Sequence, residues 1–307
     1  MQRIQRDVAR LRPLPTSLAQ IVRALEDPTT TPNKLAEMIT LDQSLTADVL
    51  RLANSAAMDY VPPSRTMQEA VMRLGYARIR TMVLGVHASP LLTRALSGYQ
   101  LGAAELWEHS VTAATIARTL SRALSFNNAE EAYIAGLLHD MGKLVLDQYL
   151  AADYANMLAF KQKHNLRLWQ VEQKLFGLDH GAVGGALATK WNFPRSLAEA
   201  IEFHHWPTFA SHDQELAAII NIADAWANAA GGDARHFGEA VYHPESPRLL
   251  NVTEATLERI RASLKPVAAP VALPERAVAP ALRAAAPPPP QPKPEKRRGF
   301  FGFGRRN

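Results

Sequence analysis

Residues 132–146 read AYIAGLLHDMGKLVL. Their apolar positions recur without any period-two alternation, as in a buried helix, and the run delivers His139 and Asp140 just before Gly142. An adjacent His-Asp pair is chemically useful. Both side chains can reach one cation, the imidazole as a neutral donor and the carboxylate as a source of negative charge. Upstream, ELWEH places Glu105 and His109 four residues apart, hence on one face of a helix. Downstream come His180 in LDHGAVGGAL, His204 and His205 in FHHWP, and Asp224 inside the apolar run ELAAIINIADAWANAA. Glu105, His109, His139, Asp140, His180, His204, His205 and Asp224 thus form an ordered series of candidate metal ligands across one helical region.

Composition narrows what that series could hold. The chain has no cysteine, so any metal must be bound by His, Asp and Glu. Such a donor set favours iron or manganese over magnesium or zinc. The competing reading is a buried hydrogen-bonded network that specifies the fold without any ion. His87, His164, His212, His236 and His243 fit no part of the series.

The rest of the chain also reads as helix, and an all-α fold is expected. Leu18, Ile21, Val22 and Leu25 share a stripe that Asp27-Pro28 interrupts. Leu35, Met38 and Ile39 mark a second helix, and a third follows with Asp42 or Ser44 as its cap. Met67 to Leu74 should stop at Gly75, with another helix from Ala77 to Val86. Residues 35–55 have the lengths of a helix-turn-helix, but the second helix offers only Arg51 to a base, with Asp48 nearby, so nucleic acid is not an expected partner. The expected division is an extension over 1–12, an N-terminal helical lobe over 13–100, a second helical lobe over 101–263 and a tail over 264–307.

The net charge of +5 belongs to the tail. Nine basic residues after Leu264, against Glu275 and Glu295, give that segment +7 and leave residues 1–264 at −2. A basic DNA-binding fold is therefore not implied. Ten of the 21 prolines also lie there. A Pro/Ala-rich basic segment buries too little apolar surface to order itself and is expected to be disordered. It ends in KRRGFFGFGRR, whose phenylalanines among arginines suit an anionic membrane surface or a protein partner. The N-terminus lacks a signal-peptide core and no stretch is apolar enough to span a bilayer, so the expected location is cytoplasmic, peripheral to the membrane if the tail binds it.

The order His, His-Asp, Asp, with Lys143 three residues after Asp140, resembles the HD superfamily of metal-dependent phosphohydrolases. His180, His204 and His205 resemble the richer two-metal set of its HD-GYP branch. LPTSLAQIVRALEDP, LAEMITLDQSLTADVLRLANSA and EAVMRLGYARIRTMVLG are similar to the N-terminal lobe of the HDOD family, the HD-related output domain. The resemblance runs from about Leu14 to Ala230 and implies a two-lobed helical HDOD fold. One departure stands out: Trp206-Pro-Thr follows the His pair where HD-GYP proteins carry a Gly-Tyr-Pro loop. The resemblance then implies a regulatory, non-catalytic signalling protein that acts through protein contacts and ligand or metal binding at the His-Asp site, its signalling partner unknown. The alternative is a phosphohydrolase acting on a nucleotide or cyclic dinucleotide, and DNA binding is a distant third. Lys143 would be catalytic only in the enzyme, neutralising charge on a phosphoryl group; otherwise it would complement the C-terminal carbonyls of its own helix.

Overall fold

Local sequence chemistry sets each helix end. The structure, a computed structural model, describes residues 16–54, 64–126, 128–150, 154–231 and 240–264, with Ile4, Arg6 and Val8. Helix α1, Thr16–Glu26, buries Ile21, Val22 and Leu25 and ends where the Asp27 carboxylate accepts from the Thr29 amide at 2.8 Å. Helix α2, Pro32–Thr40, begins with Thr31 accepting from Lys34 N at 3.2 Å and Pro32 in the first turn. Helix α3, Gln43–Ala53, is capped by Asp42, which accepts from Leu45 N at 3.0 Å. Of the two expected caps, Asp42 is the one used. Arg51 is held by Asp48 at 2.9 Å on its own helix.

Helix α4, Met67–Leu92, breaks at Gly75, where φ is 73° and ψ is 161°. The expected stop at Gly75 is thus present, as a break in helical backbone that only glycine adopts readily, and the second arm runs past Val86 to Leu92. Helix α4 packs on α1, α2 and α3, and also on α5, Glu105–Ala123, and α6, Ala129–Leu138. One hydrophobic core extends from Ile4 to Leu257, so the helices on either side of residue 100 share it. Among the described residues there is no strand, only an isolated bridge between Leu96 and Leu101 in the connector from α4 to α5.

The remaining helices enclose the candidate ligands. Helix α6 runs into His139 and Asp140; α7, Lys143–Leu150, starts after Gly142. Helix α8 is Tyr154–His164, and α9, Leu168–Phe176, ends at Gly177 with φ of 75°. Helix α10, His180–Lys190, is capped by Asp179, and α11, Arg195–Glu202, leads into His204 and His205. Helix α12, Gln214–Gly231, is buried almost all round and packs on α5, α6 and α11. Helices α13, Ser246–Leu249, and α14, Glu254–Ser263, follow. No described helix is long and apolar enough to cross a membrane. The expected tail, from residue 265 onwards, lies outside the described residues, as do residues 1–3 and 9–15.

Gly142 lets α7 approach α10 closely. A Cβ there would lie 1.9 Å from His180 O and 2.8 Å from Gly184 N, both backbone atoms. Gly142→Ala is therefore expected to destabilise by about 3 kcal/mol or more. Gly85, on α4, would meet only Leu137 Cδ2 at 3.7 Å. Gly85→Ala should be neutral or stabilising by about 0.5–1 kcal/mol, since alanine is the better helix former. Thermal melts of the two variants check the pair, and a Gly142→Ala protein as stable as wild type would contradict the close approach.

Candidate metal centre

Three helices deliver one group of donors. His109 comes from α5, His139 and Asp140 from the end of α6, and Asp224 from α12. His109 Nε2 lies 3.3 Å from His139 Nε2, 3.5 Å from Asp140 Oδ2 and 3.2 Å from Asp224 Oδ1. His139 Nε2 is 3.5 Å from both carboxylate oxygens. Donors about 2.1 Å from one tetrahedral cation stand roughly 3.4 Å apart, so this spacing fits a shared ion.

A second group adjoins the first. His180, at the start of α10, places Nε2 3.1 Å from Asp140 Oδ1 and 2.9 Å from His205 Nε2. The His204 ring lies tilted against both His180 and His205, with centroids 5.4 and 3.9 Å away. Ligand atoms of His180, His204 and His205 lie within 4.8 Å of one another, as do those of His139, Asp140 and His204. Asp140 thus turns one oxygen to each group.

The outer hydrogen bonds fix which ring nitrogen faces the centre. His139 Nδ1 pairs with Gly136 O at 2.8 Å and His204 Nδ1 with Ile201 O at 2.7 Å. Each ring therefore presents Nε2 inward, as metal-binding imidazoles do. His204 Nε2 is buried without a hydrogen-bond partner, and burial, reinforced by His139 and His180, pushes its pKa down to about 3. A buried neutral imidazole with a free lone pair is a ready donor. Burial likewise holds His205 well below its ordinary value, with His204 next in effect. These features fit a divalent cation.

The carboxylates stay charged inside the protein. Burial works against ionisation of Asp140, yet Lys143 first and His139 next hold its pKa well below the usual range. Asp224 is held low against burial by its contacts with His109 and His139. His180 loses by burial but gains more from Glu172 and Asp140, and its pKa rises to about 10. Lys143 Nζ, fully buried, lies 2.6 Å from Asp140 Oδ2. It opens α7 and points back to Asp140.

Two expectations on the site need comment. Glu105 is exposed and accepts from Gly102 N at 2.8 Å, at the first turn of α5, away from the cluster. Its spacing to His109 is correct, but the helix start draws the carboxylate to an unpaired backbone donor. Conversely, three residues outside the expected series support it. Glu172, on α9, is buried and accepts from His180 Nδ1 at 2.7 Å, from His180 N at 2.8 Å and from the Tyr99 hydroxyl at 2.8 Å. Asn221, on α12, donates to His204 O at 2.7 Å. Trp169 stacks on His205 with an interplanar angle of 22°.

The HDOD domain family model matches residues 11–207, so Asp224 is supplied from beyond the match. An uncharacterised protein of Treponema pallidum is 27% identical over 193 residues, 62% of this chain and 37% of its own. The chain therefore spans little more than a third of that curated relative. Among solved structures, an HDOD domain protein of unknown function from Geobacter sulfurreducens is 25% identical, with a TM-score of 0.60 over 85% of this chain and 87% of that one. A protein of Shewanella amazonensis, provisionally named a phosphohydrolase, is also 25% identical, with a TM-score of 0.62 over 84% and 93% of the two chains. With an all-helical fold, the His-Asp centre and a family match over more than half its length, the chain belongs to the HDOD family.

Proposed function

We propose that this chain is a signalling HDOD module, non-catalytic, whose output depends on divalent metal held at the enclosed His-Asp centre. His109, His139, Asp140 and Asp224 would hold one cation, and His180, His204 and His205 a second, with Asp140 between them. Histidine and carboxylate donors suit manganese or iron best. When bound, such a cation supplies Lewis acidity and positive charge among the buried carboxylates. The observation that carries the reading is enclosure: His139, Asp140, His180 and His204 are 0–1% exposed, His109 and Asp224 are 7% and 8% exposed, and of the seven only His205 is half-buried. A hydrolytic centre needs a route for a phosphate to its metal, whereas a centre that stabilises one conformation does not.

The connection after the His pair supports the same reading. It is short, a single turn of 3₁₀ helix at Pro207–Phe209, and is then tied down by Glu199. The Glu199 carboxylate accepts from the amides of Ser211 and His212 at 2.7 and 2.8 Å. Against the effect of burial, these bonds bring its pKa down to about 2. Residues 206–213 alone join the His pair to α12, too few for a long recognition loop.

The phosphohydrolase remains the second reading. It is favoured by the two oxygens of Asp140 facing two donor groups and by Lys143 beside them, a charge that could neutralise a phosphoryl oxygen. The tail supports a further role in placement, through residues 292–307 contacting an anionic membrane or a protein partner in the cytoplasm.

Metal analysis of protein purified without chelator or affinity tag tests the main reading. Near-stoichiometric manganese or iron is expected in wild type and loss of at least ~90% of it in a His139→Ala, Asp140→Ala variant, since removing direct ligands abolishes such sites. Equal, negligible metal in both would leave only a hydrogen-bonded network. The metal-loaded protein should leave nucleotides and cyclic dinucleotides intact; turnover abolished by Asp140→Ala would establish the second reading instead.

The Glu199 anchor makes a pH prediction. Its folded pKa is depressed from 4.5 to about 2, so its stabilisation is present above about pH 4.5 and is lost as pH falls towards 2. Glu199→Gln should cost at most about 3 kcal/mol at neutral pH, and the gap from wild type should close across that window. Denaturant melts between pH 2 and 7 read it out; a pH-independent gap would contradict the anchor. For the tail, deletion of 292–307 should lower recovery on vesicles containing anionic lipid or of bound protein in cells, and unchanged recovery of both would remove that role.

A further inference from the structure

The histidines of the centre are not oriented alike. His139 and His204 are held by backbone carbonyls of their own helix ends, Gly136 and Ile201. His180 is held by a side chain from another helix, the buried carboxylate of Glu172. Glu172 Oε2 takes both the ring Nδ1 and the backbone amide of His180, while Oε1 takes the Tyr99 hydroxyl. Each polar atom in this chain is enclosed: Tyr99 and Glu172 are 0% exposed and His180 is 1% exposed.

Tyr99 belongs to the connector between α4 and α5. Leu96 and Leu101 pair across it, and Gly98 N donates to the Asp147 carboxylate of α7 at 2.7 Å. Gly98 sits so close to α7 that a Cβ would meet Asp147 O at 1.9 Å. Arg94 Nη2 adds a bond to Leu144 O at 2.5 Å. The connector is thus held at both ends of the centre's framework. It touches α7, which begins at Lys143 beside Asp140, and through Glu172 it touches His180. It also joins the helix that packs on α1, α2 and α3 to the helix that carries His109.

We propose that Glu172 is the positioning residue of the second metal position and that Tyr99 couples this position to the connector over residues 93–104. The proposal rests on the metal reading above and adds the route by which occupancy reaches the N-terminal helices. A cation fixing His180 Nε2 fixes the ring, and with it the Nδ1 bond that orients Glu172. Glu172 in turn accepts from the Tyr99 hydroxyl through Oε1 at 2.8 Å. The side chain therefore acts through His180 and needs no contact with any substrate. An outer partner of this type commonly changes metal affinity by about 10- to 100-fold when removed.

The test combines Mn(II) equilibrium dialysis with hydrogen-exchange mass spectrometry on the full chain, comparing wild type, Glu172→Gln and Tyr99→Phe. Wild type should bind two Mn(II), and binding should slow exchange over residues 93–104. Glu172→Gln should keep the first Mn(II) and bind the second about 10- to 100-fold more weakly. Tyr99→Phe should keep both ions and lose the slowing of exchange in the connector. If Glu172→Gln does not fold, the conservative Tyr99→Phe comparison decides alone. Full metal-dependent protection in Tyr99→Phe, or unchanged affinity for both ions in Glu172→Gln, would overturn the proposal. Two bound ions in wild type with no change in the connector would overturn it and leave the metal reading intact. No uptake of Mn(II) at all would overturn the metal reading and this proposal with it.

Discussion

Asp140 is the constraint around which the protein is arranged. A carboxylate 1% exposed is costly to ionise unless charge and hydrogen bonds replace the lost water. Lys143 at 2.6 Å, His180 at 3.1 Å, and His109 and His139 each at 3.5 Å supply them. Meeting that demand requires α5, α6, α7 and α10 to converge on one point. Convergence in turn requires the close backbone approach that Gly142 permits against His180 and Gly184. The second carboxylate, Asp224, brings α12 into the same arrangement through His109 and His139. An apolar core could hold these helices together, but it would not dictate which residues meet at the centre.

The same arrangement explains why enclosure and metal belong together. Several neutral or cationic imidazoles at mutual distances near 3 Å repel or leave a lone pair without a donor unless protons or a cation lie between them. His204 shows this most plainly, with Nδ1 satisfied by Ile201 O and Nε2 facing the centre without a partner. A cation among His180, His204 and His205 would satisfy that lone pair, and one among His109, His139, Asp140 and Asp224 would neutralise the carboxylates, whereas protons satisfy only some of the imidazoles.

Much of this was legible in the sequence, for physical reasons that can be named. Helix ends were readable where a short polar side chain or glycine had to solve a backbone problem, as at Asp42, Asp27 and Gly75. The donors His109, His139, Asp140, His180, His204, His205 and Asp224 were readable because ionisable residues inside apolar runs need a reason to be buried. Glu105 was misleading because a four-residue spacing fixes a shared face but not which turn of the helix reaches the core. The ion pair of Lys143 with Asp140 was not legible, because the spacing in GLLHDMGK does not show that α7 starts at Lys143 and turns its side chain back. Glu172 carried a usable signal that spacing alone reveals: it lies four residues after Leu168 and three after Trp169, on the stripe that α9 buries. Tyr99 carried none, since its partner is distant in sequence and belongs to no motif.

Diffraction from crystals grown with Mn(II), collected at the manganese edge, tests whether this convergent set is a metal centre. An anomalous peak is expected among His109, His139, Asp140 and Asp224, with a second beside His180, His204 and His205. Crystals showing the same side chains in mutual hydrogen bonds, with no anomalous density between them, would contradict it.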